Sequence, residues 1–216
     1  MSAWTDHVAR WRDCTDCPLC QQRDRICLAR GSIPCDLLFV GEAPGASEDA
    51  IGVPFIGPAG RLLDEIITRS LPWTDKPLVR HALTNLVACF PAEAKARGDN
   101  EPEHDEILAC RSRLVEFVNI ARPRLIVCVG SLATQYVPRE PDMRYVDIVH
   151  PAAVLRMPLA QQQMAVQKSV VVLRNAVEDM LGSGSKNFTQ WGNDDASSKT
   201  SAQQLRAAYT NDDIPF

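Results

Sequence analysis

With 216 residues, 45% of them hydrophobic and 23% charged, the chain has the length of one ordinary domain with a tail. That composition excludes collagen, a coiled coil and a wholly disordered chain, and no apolar run reaches the roughly 18 residues of a membrane span. The formal charge is −4, from 23 Lys and Arg against 27 Asp and Glu, so any DNA site must be a local patch on an acidic body.

The N-terminus does not read as a signal peptide, so a cytoplasmic, nucleoid-associated location without membrane contact is expected. Thiols stay reduced there, and eight cysteines then suggest metal or chemistry before disulfides. The first stretch predicts a short helix over Trp4–Arg12, with Trp4, Val8 and Trp11 at helical spacing, followed by Cys14-Thr-Asp-Cys17-Pro-Leu-Cys20. Asp36–Gly41 reads as a buried strand, Gly41–Gly60 as a Gly/Pro-rich loop, and Arg61–Ser70 as a helix with Leu62, Leu63, Ile66 and Ile67 on one face. A second strand is expected over Val79–Cys89, a polar loop at Gly98–Asn100, a helix over His104–Ile120 and a third strand over Arg124–Gly130. A short helix over Ser131–Val137, a strand over Tyr145–His150 and a long helix over Leu159–Leu181 complete the series.

Strands alternating with helices predict an α/β fold, a three-layer α/β/α sandwich on a mostly parallel sheet. Sites in such sheets gather at the carboxyl ends of strands, where Gly41, Asn85, Gly130 and His150 fall. The domain is expected over residues 1–181. Residues 182–216 open with Gly-Ser-Gly-Ser and are polar without apolar period, which reads as a flexible linker and acidic tip.

Three motifs sit at the strand ends. Gly41-Glu42-Ala43-Pro44-Gly45, Glu48-Asp49 and Gly52-Val-Pro-Phe55-Ile-Gly57 build a loop whose backbone can approach a ligand closely, although a structural turn would also use these glycines. An acid and an aromatic inside that loop, Glu42 and Phe55, favour a site. Asn85 offers a donor and an acceptor that match N3–H and O4 of a pyrimidine, and a lone Asn in a turn is the plainer reading. His150-Pro151-Ala152, with Arg156 beyond, places an imidazole where an oxyanion could develop, or where a helix needs a cap.

Taken together, this order of motifs with an upstream CxxC resembles the family 4, iron–sulfur uracil-DNA glycosylases, from about Cys14 to Arg156. The resemblance implies a monofunctional glycosylase that hydrolyses the N-glycosidic bond of deoxyuridine in single- or double-stranded DNA, as in base-excision repair. Phe55 would stack on the flipped uracil, Asn85 would read its edge, and His150 would hold O2 as charge builds on the departing base. Glu42 would orient water or stabilise the cationic sugar, and Glu48 would assist it or exclude the thymine methyl. Gly41, Ala43, Pro44 and Gly45 would line the substrate. Pro151, Ala152 and Arg156 would grip DNA, with backbone N–H groups on phosphates. No lysine lies in these motifs, so no Schiff-base lyase step is expected. Arg122, Arg124, Arg139 and Arg144 are further candidates for a basic patch, although each taken singly reads as a solvated surface charge.

The resemblance also assigns a 4Fe–4S cluster to Cys14, Cys17, Cys89 and Cys110. The spacing of Cys14, Cys17, Cys20 and Cys27 offers a competing ligand set, similar to a ferredoxin run or a zinc site. Cys35 and Cys128 lie at or in apolar strands and read as buried thiols. Residues Phe90–Arg97 depart from the family's Arg-Pro-Pro-x-Asn-Arg run.

The chain ends in Asp212-Asp213-Ile214-Pro215-Phe216, which resembles the C-terminal tip of bacterial single-stranded-DNA-binding proteins. That resemblance implies recruitment of the replication and repair proteins that bind such tips, by capture of a free carboxylate and an apolar wedge. A monomer is expected. The alternative is a non-catalytic, glycosylase-fold accessory factor for replication, with the tip as its working part. A third reading is an enzyme for another modified pyrimidine.

Overall fold

The computed structural model describes residues 2–71, 79–93 and 101–182. In chain order the elements are α1 (Ala3–Trp11), a single 3-10 turn (Pro18–Gln21), β1 (Arg30–Gly31), β2 (Leu37–Gly41), α2 (Ala46–Ile51), α3 (Pro58–Ser70) and β3 (His81–Asn85). They continue with α4 (His104–Ala121), β4 (Leu125–Val129), α5 (Ser131–Tyr136), β5 (Arg144–Ile148), α6 (Pro151–Leu155) and α7 (Leu159–Gly182). The sheet order is β1-β3-β2-β4-β5, parallel throughout except for the edge strand β1.

The two central strands explain the layering. Every residue of β2 and β4 is buried, as apolar runs covered on both faces must be. Alternate residues point to opposite sides. Leu38, Val40, Ile126 and Cys128 pack with Phe117 and Val118 of α4 and with Ala133 of α5. Leu37, Phe39, Leu125 and Val127 pack with Ile66 of α3 and with Val170 and Leu173 of α7. The result is the expected three-layer α/β sandwich.

Helix α1 lies outside α4 on the first face. The Glu116 carboxylate accepts from Arg10 at 2.8 Å and from Trp11 Nε1 at 3.2 Å, and lies 2.9 Å from His7 Nδ1. Burial lowers the His7 pKa, against the pull of Glu116. Phe117, fully buried beneath, stacks edge-on against Trp4 at 5.6 Å.

The sequence expectation lacked the edge strand β1 and the 3-10 turn, and three further elements differ from it. The loop Gly41–Gly60 contains α2, capped by Gly45 with the Glu48 side chain reaching back to the cap amide. The second strand stops at Asn85, because the Leu86 and Val87 amides turn to the carbonyls of Gly41 (2.9 Å) and Glu42 (3.2 Å). The segment after His150 is the short helix α6, with Pro151 in its first turn. Gly98–Asn100 and the tip Asp212–Phe216 lie outside the described residues, as does the linker beyond Gly182. No described helix is long and apolar enough to cross a membrane.

Phe117→Ala should cost about 3–5 kcal/mol of stability, because the ring fills the space between the sheet layer and α1. Urea unfolding followed by far-UV circular dichroism would measure it.

Candidate functional site

The site forms at the carboxyl ends of β2, β3 and β4, around two glycines. A methyl on Gly41 would lie 2.4 Å from Phe55 Cζ and 2.6 Å from Asn85 Oδ1, so only glycine lets the ring and the amide meet over the end of β2. Asn85 is 2% exposed, and its Oδ1 is buried with no hydrogen-bond partner among the described residues. A buried acceptor left unpaired costs free energy and marks a place for a ligand donor.

The Phe55 backbone takes the left-handed region, at φ 58°, which an aromatic residue rarely adopts. Three features hold it there. Arg30 donates to the carbonyls of Pro54 (2.9 Å) and Phe55 (3.0 Å) while paired with Asp64 at 2.7 Å. A methyl on Gly60 would overlap the Phe55 carbonyl. The Glu48 carboxylate accepts from the amides of Gly45 (3.1 Å), Ile56 (2.9 Å) and Gly57 (2.7 Å). Glu48 is therefore occupied by backbone donors and shapes the loop that presents Phe55.

Gly130, at φ 95°, plays the same part at the end of β4. A methyl there would meet Glu42 Oε1 at 2.7 Å and His150 Cβ at 2.9 Å. Glu42 and His150 thus approach one another across a residue without a side chain. Burial raises the Glu42 carboxyl to about 7; Glu101 adds to the rise and Arg156 opposes it. Burial also lowers the His150 pKa to about 4, helped by Arg156, so the imidazole is neutral. Its Nδ1 accepts from the Ala152 amide at 3.1 Å, which places the ring proton on Nε2.

These groups share a cleft of about 1110 Å³. Ala43, Pro44 and Gly45 line it with Glu42, Glu48, Phe55, Asn85, His150, Ala152 and Arg156, while Gly41 lies beneath Phe55 and Asn85. Pro151 is buried in the first turn of α6 and does not line it.

At the start of α6 the backbone N–H groups are engaged within the chain. Pro151 has no N–H, the Ala152 amide serves His150, and those of Ala153 and Val154 bond the His150 carbonyl. Arg156 is what α6 offers to an anion. Of the candidate arginines only Arg156 lines the cleft. Arg122, Arg124 and Arg144 lie at the opposite, amino-terminal edge of the parallel strands, and Arg139 is paired with Asp147 at 2.7 Å. Sequence reading missed Phe90, Glu101, Ser131, Thr134 and Lys168, which also line the cleft; none sits in a motif. It missed Arg30 as well, whose role is visible only through its contacts.

A second, smaller cavity lies behind β3. Cys14, Cys17, Cys89 and Cys110 line it together with Cys20. Cys27 does not: it is fully buried, and its thiol donates to the Glu48 carbonyl at 3.3 Å. The competing set with Cys27 is therefore not assembled. Cys35 and Cys128 are buried, as expected.

Burial pushes the thiols of Cys17 up to about 12 and of Cys89 up to about 11, and the gathered thiols raise one another. Arg23 donates to Cys89 Sγ at 3.1 Å and to the Cys14 carbonyl at 2.8 Å. Among the described residues no three His, Cys, Asp or Glu side chains converge on a point fit for one ion. Five thiols line this cavity, and a cuboidal cluster takes four of them, each at a separate corner.

A parallel sheet whose strand ends bring an aromatic face, an unpaired amide, a neutral imidazole and a high-pKa carboxyl into one cleft has surfaces that can take a planar heterocycle beside a carboxylate. Comparison with known proteins gives the family. The family model for the uracil DNA glycosylase superfamily matches residues 29–174, and the chain belongs to that superfamily.

Among curated relatives, the type-4 uracil-DNA glycosylase of Saccharolobus solfataricus is 35% identical over 133 residues, 62% of this chain and 58% of the relative. That of Sulfurisphaera tokodaii is 36% identical over 124 residues, 57% of this chain and 53% of the relative. That of Archaeoglobus fulgidus is 28% identical over 185 residues, 76% of this chain and 88% of the relative. The chain thus spans between half and three fifths of the length of the first two.

Glu48→Gln should cost about 1–3 kcal/mol, because one carboxylate oxygen becomes an N–H₂ facing backbone donors. Urea unfolding measures the loss, and hydrogen exchange should accelerate at the amides of residues 45, 56 and 57.

Proposed function

We propose that the chain is a monofunctional uracil-DNA glycosylase, which hydrolyses the N-glycosidic bond of deoxyuridine in DNA and leaves an abasic site. The observation that carries this reading is the buried, unpaired Asn85 Oδ1 beside the Phe55 ring, in a cleft shared with Glu42 and neutral His150.

A uracil flipped from the stack rests on Phe55, which offsets part of the unstacking cost. Asn85 Oδ1 accepts from N3–H, and the amide N–H₂ donates to O4. Cytosine has an acceptor at N3 and a donor at the 4-position, and so meets this amide donor to donor and acceptor to acceptor. As the C1′–N1 bond breaks, its electron pair passes to the base, and the Nε2–H of His150 donates to O2. A neutral imidazole donates without first giving up a full proton. Water adds to C1′ and gives its proton to the Glu42 carboxylate, whose charge also stabilises the oxocarbenium-like sugar. Glu48 acts as a positioning residue through the loop that carries Phe55. Ala43, Pro44 and Gly45 wall the base, and Arg156 binds a flanking phosphate.

Cys14, Cys17, Cys89 and Cys110 would hold a 4Fe–4S cluster. When bound, it would tie the N-terminal segment both to the loop after β3 and to α4, with thiolate charge beside Arg23. The domain would end near residue 181, and the acidic tip Asp212–Phe216 would recruit proteins that bind the tip of single-stranded-DNA-binding proteins at the nucleoid. Support for the tip is its sequence. Deleting Ile214–Phe216 should abolish capture of such proteins in a pull-down with the full chain, and unchanged capture overturns the recruiting role.

The purified, iron-loaded protein should release uracil from single- and double-stranded oligonucleotides carrying one deoxyuridine, read as alkali-sensitive sites. Glu42→Ala and His150→Ala should each slow release by at least about 100-fold. Borohydride should trap no adduct, although Lys168 lines the cleft. Absence of cleavage by the loaded protein would instead favour the accessory-factor reading.

Because Glu42 is ionised only above about 7, the single-turnover rate should rise with pH through about 7 as one proton leaves, with no inflection from His150 above about 4. The same shift has a stability consequence. Folding favours protonated Glu42, a stabilisation present below the unfolded value of 4.5 and lost as pH climbs through about 7. Glu42→Gln should match the parent at pH 4 and exceed it at pH 8 by about 1–2 kcal/mol, allowing for solvent screening. Chemical denaturation at the two pH values would measure it.

A further inference from the structure

Arg113 is among the largest fully buried side chains, at 1% exposure, and the chemistry proposed above gives it no part. It stands three residues after Cys110 on α4, hence on the same helix face. Its Nε lies 3.3 Å from Cys110 Sγ. Its other two nitrogens reach β3: Nη1 donates to Thr84 Oγ1 at 3.1 Å, and Nη2 to the Leu86 carbonyl at 3.0 Å and to the Asn85 carbonyl. One guanidinium thus touches the cysteine cavity on one side and the residue bearing the unpaired amide oxygen on the other.

Its charge is a second observation. Among the described residues no carboxylate forms an ion pair with Arg113. A buried cation without counter-charge is strongly unfavourable, and carbonyl dipoles compensate only part of it. Ligation of iron by Cys110 would place negative charge directly against Arg113. Cysteines that ligate iron do so as thiolates. The planar fork matters as much as the charge, because it bonds three successive residues, 84 to 86, in a fixed geometry.

We propose that Arg113 is a positioning residue that couples the thiolate site to base recognition by holding the end of β3, and so Asn85, in its reading orientation. Loading of the cysteines neutralises Arg113 where it stands. Stripping them leaves the guanidinium buried and uncompensated, and the strand end loses its anchor. Affinity for the base therefore depends on a site outside the cleft, through one side chain. This inference rests on the glycosylase reading for its effect on uracil, and on the geometry alone for its tie to the cysteines.

The test uses the full chain, iron-loaded or stripped by chelator, with Arg113→Met, which removes charge and fork, and Arg113→Lys, which keeps the charge alone. Loaded Arg113→Met should keep the iron–sulfur absorbance while KM and the inhibition constant for free uracil rise about 10-fold, with kcat within about 3-fold. Arg113→Lys should show the same rise in the uracil constants. Stripping should lower the melting temperature of the parent and of Arg113→Lys by several degrees more than that of Arg113→Met, because only they leave a charge stranded. Unchanged uracil constants in both variants would reduce Arg113 to a packing role. Equal melting losses in parent and Arg113→Met would overturn its link to the thiolates. If the parent neither cleaves nor binds uracil, the glycosylase reading falls, and the melting comparison still decides that link.

Discussion

The constraint on which the rest of the site depends is the absence of a side chain at two neighbouring strand ends. Gly41 closes β2 and Gly130 follows β4, and these strands are paired in parallel at the centre of the sheet. Each glycine clears the space for two functional groups that arrive from elsewhere. Phe55 and Asn85 meet over Gly41; Glu42 and His150 meet over Gly130. Because the strands adjoin, the two clearings adjoin, and an apolar-plus-amide half lies beside an acid-plus-imidazole half. Any L side chain at either position would separate a pair. At Gly130 it would also have to adopt a positive φ.

Such a site carries unfavourable terms that its surroundings must offset. Phe55 holds a left-handed backbone, Asn85 leaves a buried acceptor unpaired, and Glu42 sits where its charged form is disfavoured. The offset comes from polar clamps placed behind the cleft. Glu48 gathers three backbone amides, and Arg30 gathers two carbonyls and a carboxylate. These bonds fix backbone rather than substrate, which leaves the groups facing the cleft free to differ in charge and polarity from a stable interior.

The frame of the fold was legible because β2, β4 and the helices obey simple periods: fully apolar runs for strands covered on both faces, and apolar faces at helical spacing on α3 and α4. The four cleft residues were legible too, since strand ends in such a sheet converge and each motif falls at one. The roles of clamps were not. Nothing in the neighbourhood of Glu48 distinguishes an acid that binds backbone amides from one that faces substrate; the difference is a few ångströms of loop geometry. The same holds for the arginines. Arg122, Arg124 and Arg144 looked like a basic cluster in sequence, but the strand direction places them at the edge away from the cleft, whereas buried Arg113 had no local signal. Helix α2 was hidden because the Gly and Pro around it speak for loop, and its six residues carry little period.

The N-terminal segment shows why the cysteine cavity belongs to the same design. The family match begins at residue 29, so Cys14 and Cys17 lie outside it, whereas Cys89 and Cys110 lie within. Yet the segment is docked independently of its cysteines. Glu116 holds α1, and the Asp49 carboxylate of α2 accepts from the amides of Asp24 (3.0 Å) and Arg25 (3.3 Å). These anchors approach from opposite sides, one on α4 and one on the loop that shapes the cleft, and they present Cys14 and Cys17 to Cys89 and Cys110. Because the docking already restricts the chain, closing the thiolate site adds little further loss of backbone entropy. Two buried or half-buried guanidiniums, those of Arg23 and Arg113, hydrogen-bond to the cysteines gathered there, and Arg113 also bonds the end of β3.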